Sequence, residues 1–132
     1  MQELLKNIRL FVLDMDGTFY LGDNMIEGAL DFVKKVKETG RDFVFFTNNS
    51  SKNGSMYIEK LERMGCHISK RDIMTSGDVT AEFLRKNYPD KTVYRAGTPA
   101  LEETFKDAGI RLTQDMPDIV VVGFDMTLTY EK

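Results

Sequence analysis

Apolar and polar positions along this chain switch repeatedly between two periods. Short apolar runs at Leu10–Leu13, Asp42–Phe46, Thr92–Ala96 and Asp118–Phe124 are rich in valine, isoleucine and phenylalanine. They are too short for helices and read as buried strands. Between them the apolar spacing becomes helical. Gly28–Thr39 sets Leu30, Val33 and Val36 on one face with Ala29 and Phe32, and Gly40 ends the pattern. A second helix over about Asn53–Met64 buries Tyr57, Leu61 and Met64 and stops at Gly65. A third, Asp78–Asn87, turns Val79, Phe83 and Leu84 inward, with Ser76 or Asp78 as its cap. A fourth, Pro99–Ala108, has proline in its first turn behind Thr98 as cap. Lys70–Ser76 and Ile110–Leu112 are short extended pieces. Strands alternating with helices predict βαβ units and a parallel sheet, an α/β fold.

Two stretches break this rhythm. Phe19–Glu27 has no period and is long for a βα loop. Tyr88-Pro-Asp-Lys91 is polar, and its proline ends a helix, so it marks the one linker. The predicted division is residues 1–88 and 89–132, with no repeats or low-complexity tracts.

The first strand carries the chemistry. Phe11-Val-Leu-Asp-Met-Asp-Gly-Thr18 ends an apolar run in Asp14 and Asp16, followed at once by Gly17. In an open α/β sheet, ligands sit at the carboxyl ends of strands. Side chains two apart on an extended segment lie on one side, roughly 7 Å apart, so both carboxylates can address one small ligand. A carboxylate is already ionised at neutral pH and is a nucleophile without a base. A second carboxyl beside a like charge can hold a proton and donate it to a leaving oxygen. Hard oxygen ligands suit a divalent cation such as Mg²⁺, which lets phosphate approach two anionic groups. Asp-x-Asp-Gly also describes a simple turn after a strand, and the residues of this one motif leave both readings open.

Composition narrows the field. The chain has 132 residues, enough for a real core, and is 42% hydrophobic and 30% charged, ordinary for a globular protein. A net charge of −3 with dispersed lysines gives no basic stripe, which argues against nucleic acid as a partner. Met1-Gln-Glu-Leu-Leu-Lys6 has neither a signal-peptide core nor a membrane-length run, so the expectation is a cytoplasmic protein without membrane contact. Cys66 is the single cysteine and His67 the single histidine, so a zinc site of clustered histidines and cysteines is not available. Gly65-Cys66-His67 reads as a post-helix turn with a small buried thiol.

With its motifs in this order, the chain resembles the haloacid dehalogenase superfamily of phosphohydrolases, whose first motif is a strand ending in Asp-x-Asp-Gly-Thr. Asp42-Phe-Val-Phe-Phe-Thr-Asn-Asn-Ser50 matches the second motif. The Thr-Asn-Asn-Ser form, with Tyr20-Leu-Gly after the first motif, is similar to the NagD-like or 4-nitrophenylphosphatase subfamily. Ile73-Met-Thr-Ser76, Val93-Tyr-Arg-Ala-Gly97 and the run from Val120 to Lys132 extend the likeness over essentially the whole chain.

The resemblance implies a Rossmann-like core with a parallel sheet in residues 1–88 and the start of an α/β cap domain in 89–132. Phe19–Glu27 would be the family's flap. It further implies that Asp14 attacks phosphorus, that Asp16 is the acid and base, and that Thr47 and the Asn48 amide grip phosphate oxygens. Mg²⁺ would be held by the Asp14 carboxylate and the Asp16 main-chain carbonyl. The implied substrate is a small phosphate ester. Sugar phosphate, nucleotide, phosphoglycolate and pyridoxal phosphate stand unranked, because substrate choice lies in the cap. Family members often pair through caps, which makes a homo-oligomer a candidate assembly.

Two family features have no counterpart here, a charge-balancing lysine and a late acidic pair. The expectation is therefore an N-terminal half, catalytically incomplete alone. Gly77-Asp78-Val-Thr-Ala-Glu82 is better explained by helix capping than as a metal motif, and Asp125 as structural or near the substrate. The alternative from another class is a non-catalytic phosphate-binding or regulatory module of the same fold. A receiver-type domain fits less well, because its acids come from separate strands.

Overall fold

Leu10–Leu13 forms strand β1 in the computed structural model, which describes residues 6–126 and 128–129. After it come a short antiparallel hairpin, β2 (Tyr20–Leu21) with β3 (Asn24–Met25), and helix α1 (Ala29–Glu38). Strand β4 (Asp42–Thr47) lies parallel to β1, pairing Leu10 with Asp42 through Leu13 with Phe45. Helix α2 (Gly54–Arg63) and a 3-10 turn (Lys70–Asp72) lead to β5 (Ile73–Thr75), which flanks β4 on its other side. The stretch read as non-periodic, Phe19–Glu27, thus holds the hairpin.

The described residues form two compact units. One comprises the residues up to Thr47 with Ile58–Met74, the other Asn48–Tyr57 with those from Thr75 onward. In the first, alternation along β4 buries Phe43, Phe45 and Thr47 while Phe46 stays on the other face. Phe45 meets Phe43 edge-on at 5.2 Å and Phe19 in a tilted arrangement at 4.6 Å between ring centroids, contacts that add to plain burial. From α1, Val33 and Val36 go into the core, as the spacing predicts, while Phe32 stays half exposed and sets its ring edge-on to Phe11. Leu61 of α2 is fully buried, and Cys66 beyond it nearly so. His67 is exposed after Gly65, whose φ of 82° makes it the left-handed stop, and pairs with Glu62 at 2.8 Å.

The second unit is a parallel sheet in the order β7 (Arg111–Leu112), β6 (Thr92–Ala96), β8 (Ile119–Val122), with helices α3 (Ser76–Asn87) and α4 (Pro99–Asp107). Its core is Ala81, Leu84, Val93, Leu101 and Phe105; burying a side chain such as Phe105 is worth about 1.5–3 kcal/mol. The Asp118 carboxylate ties β6 to the approach of β8. It accepts bonds from Thr92 N at 2.8 Å, Thr92 Oγ1 at 2.9 Å and Lys91 Nζ at 3.1 Å, which lower its pKa to about 2.

Two expectations about α3 need correction. Val79 and Phe83 are 41% and 54% exposed; the buried stripe is Gly77, Ala81 and Leu84. A Cβ on Gly77 would stand 3.0 Å from Leu101 Cδ1, so this glycine permits the close approach of α3 and α4. The cap is neither Ser76 nor Asp78 but Thr75, in a reciprocal capping box. Asp78 N donates to Thr75 Oγ1 at 3.2 Å, and the Asp78 carboxylate accepts from Thr75 N at 2.8 Å.

Candidate active site

The chain leaves β1 through a locked loop. The Met15 carbonyl accepts three amides, from Thr18 at 3.2 Å, Phe19 at 2.9 Å and Tyr20 at 3.2 Å. Gly17 N donates to Tyr20 O at 2.8 Å, and its φ of 83° is a conformation side-chain-bearing residues resist. The Met15 side chain is fully buried, whereas Asp14 and Asp16 on either side of it are exposed. Both aspartates lie just beyond Leu13, the last residue of β1, one on either side of the buried Met15 side chain. Thr18 Oγ1 donates to Asp14 Oδ2 at 3.2 Å.

Thr47 closes β4. Because β4 runs parallel to β1, with Leu13 paired to Phe45, Thr47 ends at the same carboxyl end of the sheet as the two aspartates. Its side chain is 2% exposed. Asn48 follows it directly, is exposed, and accepts a bond from Ser76 Oγ on its carbonyl at 3.0 Å. Asn49 Oδ1 accepts from Ser51 N at 2.9 Å and Ser51 Oγ at 2.7 Å, a side-chain turn that shapes the loop locally. The structure thus brings Asp14, Asp16 and Thr47 to one end of the sheet, with Asn48 next in the chain.

The hairpin after the aspartates carries a feature the sequence did not disclose. Tyr20 is fully buried, and Lys60 Nζ sits 3.9 Å from its ring centroid and 3.9 Å from Asp23 Oδ1. A helical lysine reads as a solvated charge, and only the tertiary fold reveals that it rests on the hairpin.

Two exposed carboxylates with hard oxygen donors fit a magnesium-type cation better than a soft-ligand metal. Among the described residues, no group of three or more histidine, cysteine, aspartate or glutamate side chains is placed to hold a metal ion. Burial pushes the Cys66 thiol up to about 11, aided by the charges of Glu62 and Asp72, so it is not a nucleophile at neutral pH. The second unit has a cavity of about 420 Å³ lined by Arg95, Glu102, Lys106 and Gln114. Its two cations are both paired with Glu102. The Lys106 bond, then the Arg95 charge, hold the Glu102 carboxyl below its usual range against the opposing effect of burial. No helix among the described residues is long and apolar enough to cross a membrane.

Comparison with known proteins agrees with this fold. Residues 11–111 match the family model for haloacid dehalogenase-like hydrolases. The chain is 36% identical over 129 residues to an acid sugar phosphatase of Staphylococcus saprophyticus, covering 97% of this chain and 50% of that protein. It is 31% identical to the 5'-nucleotidase YutF of Bacillus subtilis, with the same coverage of both proteins. Among solved structures, a 4-nitrophenylphosphatase from Thermotoga maritima superposes with a TM-score of 0.93 at 45% identity, over 97% of this chain and 49% of that one. A glycerol phosphate phosphatase from Mycobacterium tuberculosis, solved in complex with magnesium, gives a TM-score of 0.79 at 29% identity, over 92% and 37%. The chain spans about half the length of the curated relatives it matches.

Proposed function

The chain belongs to the haloacid dehalogenase-like hydrolases, and from that membership we propose that it supplies the nucleophile, the acid–base group and the phosphate clamp of a Mg²⁺-dependent phosphomonoesterase. An Asp14 carboxylate oxygen attacks phosphorus in line, forming an aspartyl-phosphate as the ester P–O bond breaks. Asp16 gives its proton to the departing alcohol oxygen, then takes one from the water that hydrolyses the intermediate. The Thr47 hydroxyl and Asn48 amide hold the non-bridging oxygens, since phosphoryl transfer needs chiefly positioning and charge stabilisation. The Asp14 carboxylate and the Asp16 main-chain carbonyl would hold Mg²⁺, which when bound offsets the negative charge of phosphate and aspartates.

In this reading residues 1–88 are the start of the catalytic core and 89–132 the start of a cap. The substrate is a small phosphate ester with an alcohol leaving group, handled in the cytoplasm. The relatives' names, sugar phosphatase, nucleotidase and nitrophenylphosphatase, share that chemistry.

The observation that carries the proposal is the pair of exposed carboxylates flanking buried Met15, with Thr47 at the same end of the sheet. The test is Asp14→Asn in the protein encoded by the whole reading frame, assayed with 4-nitrophenyl phosphate and Mg²⁺. Turnover should fall below detection with the fold intact, because the amide has the same shape but does not attack phosphorus. Beryllium fluoride should lodge against Asp14 in the wild-type protein. Substantial turnover by the variant would sink the covalent mechanism and leave the non-catalytic phosphate-binding module as the better reading.

A further inference from the structure

The segment that follows Thr47 is fastened from three separate places in the second unit, by two hydroxyls and one backbone amide. Ser76 Oγ, at the start of α3, donates to Asn48 O at 3.0 Å. Phe124 N, just beyond β8, donates to Ser50 Oγ at 2.8 Å across 74 residues of sequence. Thr98 Oγ1, the cap of α4, donates to Ser51 O at 3.0 Å. Ser50 is 9% exposed. A Cβ on Gly123 would stand 3.0 Å from Ser50 Oγ and 2.6 Å from Leu101 Cδ2, so the glycine lets the Phe124 amide come this close. Nothing in these bonds is needed to end β4 or to start α2, which Asn53 caps by accepting from Met56 N at 3.0 Å.

We propose that Ser50 and Ser76 are positioning residues for phosphate: by fixing the peptide that follows Asn48 and the loop two residues on, they hold the Asn48 amide in place for the bound anion. The inference rests on the phosphatase reading above and deepens it. An oxyanion donor stabilises charge only if it is held in place before the charge develops. Ser76 fixes the peptide on the C-terminal side of Asn48, and Ser50 anchors the loop two residues on.

The experiment uses the protein of the whole reading frame with 4-nitrophenyl phosphate as substrate and inorganic phosphate as competitive inhibitor. Ser50→Ala and Ser50→Cys, which remove or weaken the acceptor, should raise KM and the phosphate inhibition constant together by about fivefold to tenfold, the factor one net hydrogen bond supplies. Ser76→Ala should act in the same direction, and Ser76→Thr, which keeps the donor, should restore wild-type values. The Ser76 pair decides the matter if the Ser50 variants do not fold. Folded variants with lowered melting temperature but unchanged KM and inhibition constant would show a purely structural role and overturn the inference alone. A wild-type protein that neither turns over nor binds phosphate would instead overturn the phosphatase reading, and this inference with it.

Discussion

Asp14 and Asp16 are both exposed and only two residues apart, yet their surroundings differ. Asp14 accepts the Thr18 hydroxyl, a bond that would steady the carboxylate in the proposed nucleophilic role. Asp16 lies where the backbone turns to bridge Tyr20, at the root of the hairpin. If Asp16 is the acid, Asp16→Asn should slow the phosphorylation step by about 10²- to 10⁴-fold for alkyl phosphates, which need the donated proton. For 4-nitrophenyl phosphate, a good leaving group, the same step should lose far less. Rapid-quench measurement across leaving groups checks this, and equal losses would reduce Asp16 to a metal or structural residue. The placement of these two aspartates and Thr47 at strand ends was legible in the sequence because the signals are local: a strand, its last residues, and a glycine turn. Lys60 and Ser76 were not legible, because each acquires its partner only when distant segments meet. Nothing in a helical lysine or a serine at a helix start announces such a partner.

Among the elements, helices and strands followed the apolar period closely, and the misreadings have physical causes. On α3 the pattern offered two candidate stripes, and the bulkier one, Val79 and Phe83, was expected inside. The smaller stripe won because α4 approaches closely enough that only Gly77 and Ala81 fit beneath Leu101 and Phe105. The 3-10 turn before β5 was read only as extended, yet it holds the best-satisfied carboxylate of the first unit. Asp72 is 8% exposed and accepts from Ser69 N at 2.9 Å and Ser69 Oγ at 2.6 Å, with Lys37 Nζ at 3.5 Å. Burial opposes its ionisation, but the Ser69 bonds and the Lys37 charge outweigh it and hold the carboxyl below its usual range. A carboxyl whose folded pKa is depressed stabilises the fold above its unfolded pKa, and loses that contribution as pH falls through the folded value. Asp72→Asn should therefore cost about 1–3 kcal/mol near neutral pH. Below about pH 4 the deficit should shrink, since the unfolded chain then takes up a proton that the folded carboxyl still resists, and at lower pH the folded carboxyl takes it up too. Urea titrations of both proteins at pH 7 and in that acid range check this. A deficit independent of pH would mean that packing, not charge, sets the role of Asp72.

At the scale of the whole molecule, the α/β architecture was readable because strands and helices alternate with distinct periods. The two compact units were not readable in outline, since one takes in Asn48–Tyr57 from the middle of the other's sequence, and no linker composition marks that exchange. Among the described residues β1 lies at a sheet edge, with Leu10 54% and Val12 63% exposed. In the second unit β8 is likewise at an edge, with Val120 59% and Val122 78% exposed. Unpaired edges with apolar side chains are templates for further pairing. If, as the resemblance implies, the chain holds no counterpart of the family's charge-balancing lysine and late acidic pair, phosphate and two aspartates would meet with too little positive charge. The 132-residue chain by itself should therefore turn over 4-nitrophenyl phosphate at least about a hundredfold more slowly than the protein of the whole reading frame, even with excess Mg²⁺. It should also bind Mg²⁺ weakly, since one carboxylate and one carbonyl are few ligands for a cation that demands near-octahedral oxygen coordination. Light scattering should show concentration-dependent association that charged substitutions at Leu10 and Val12 suppress. Comparable turnover by the two forms would show that the residues present here neutralise the developing charge unaided, and that the incomplete-site expectation is wrong.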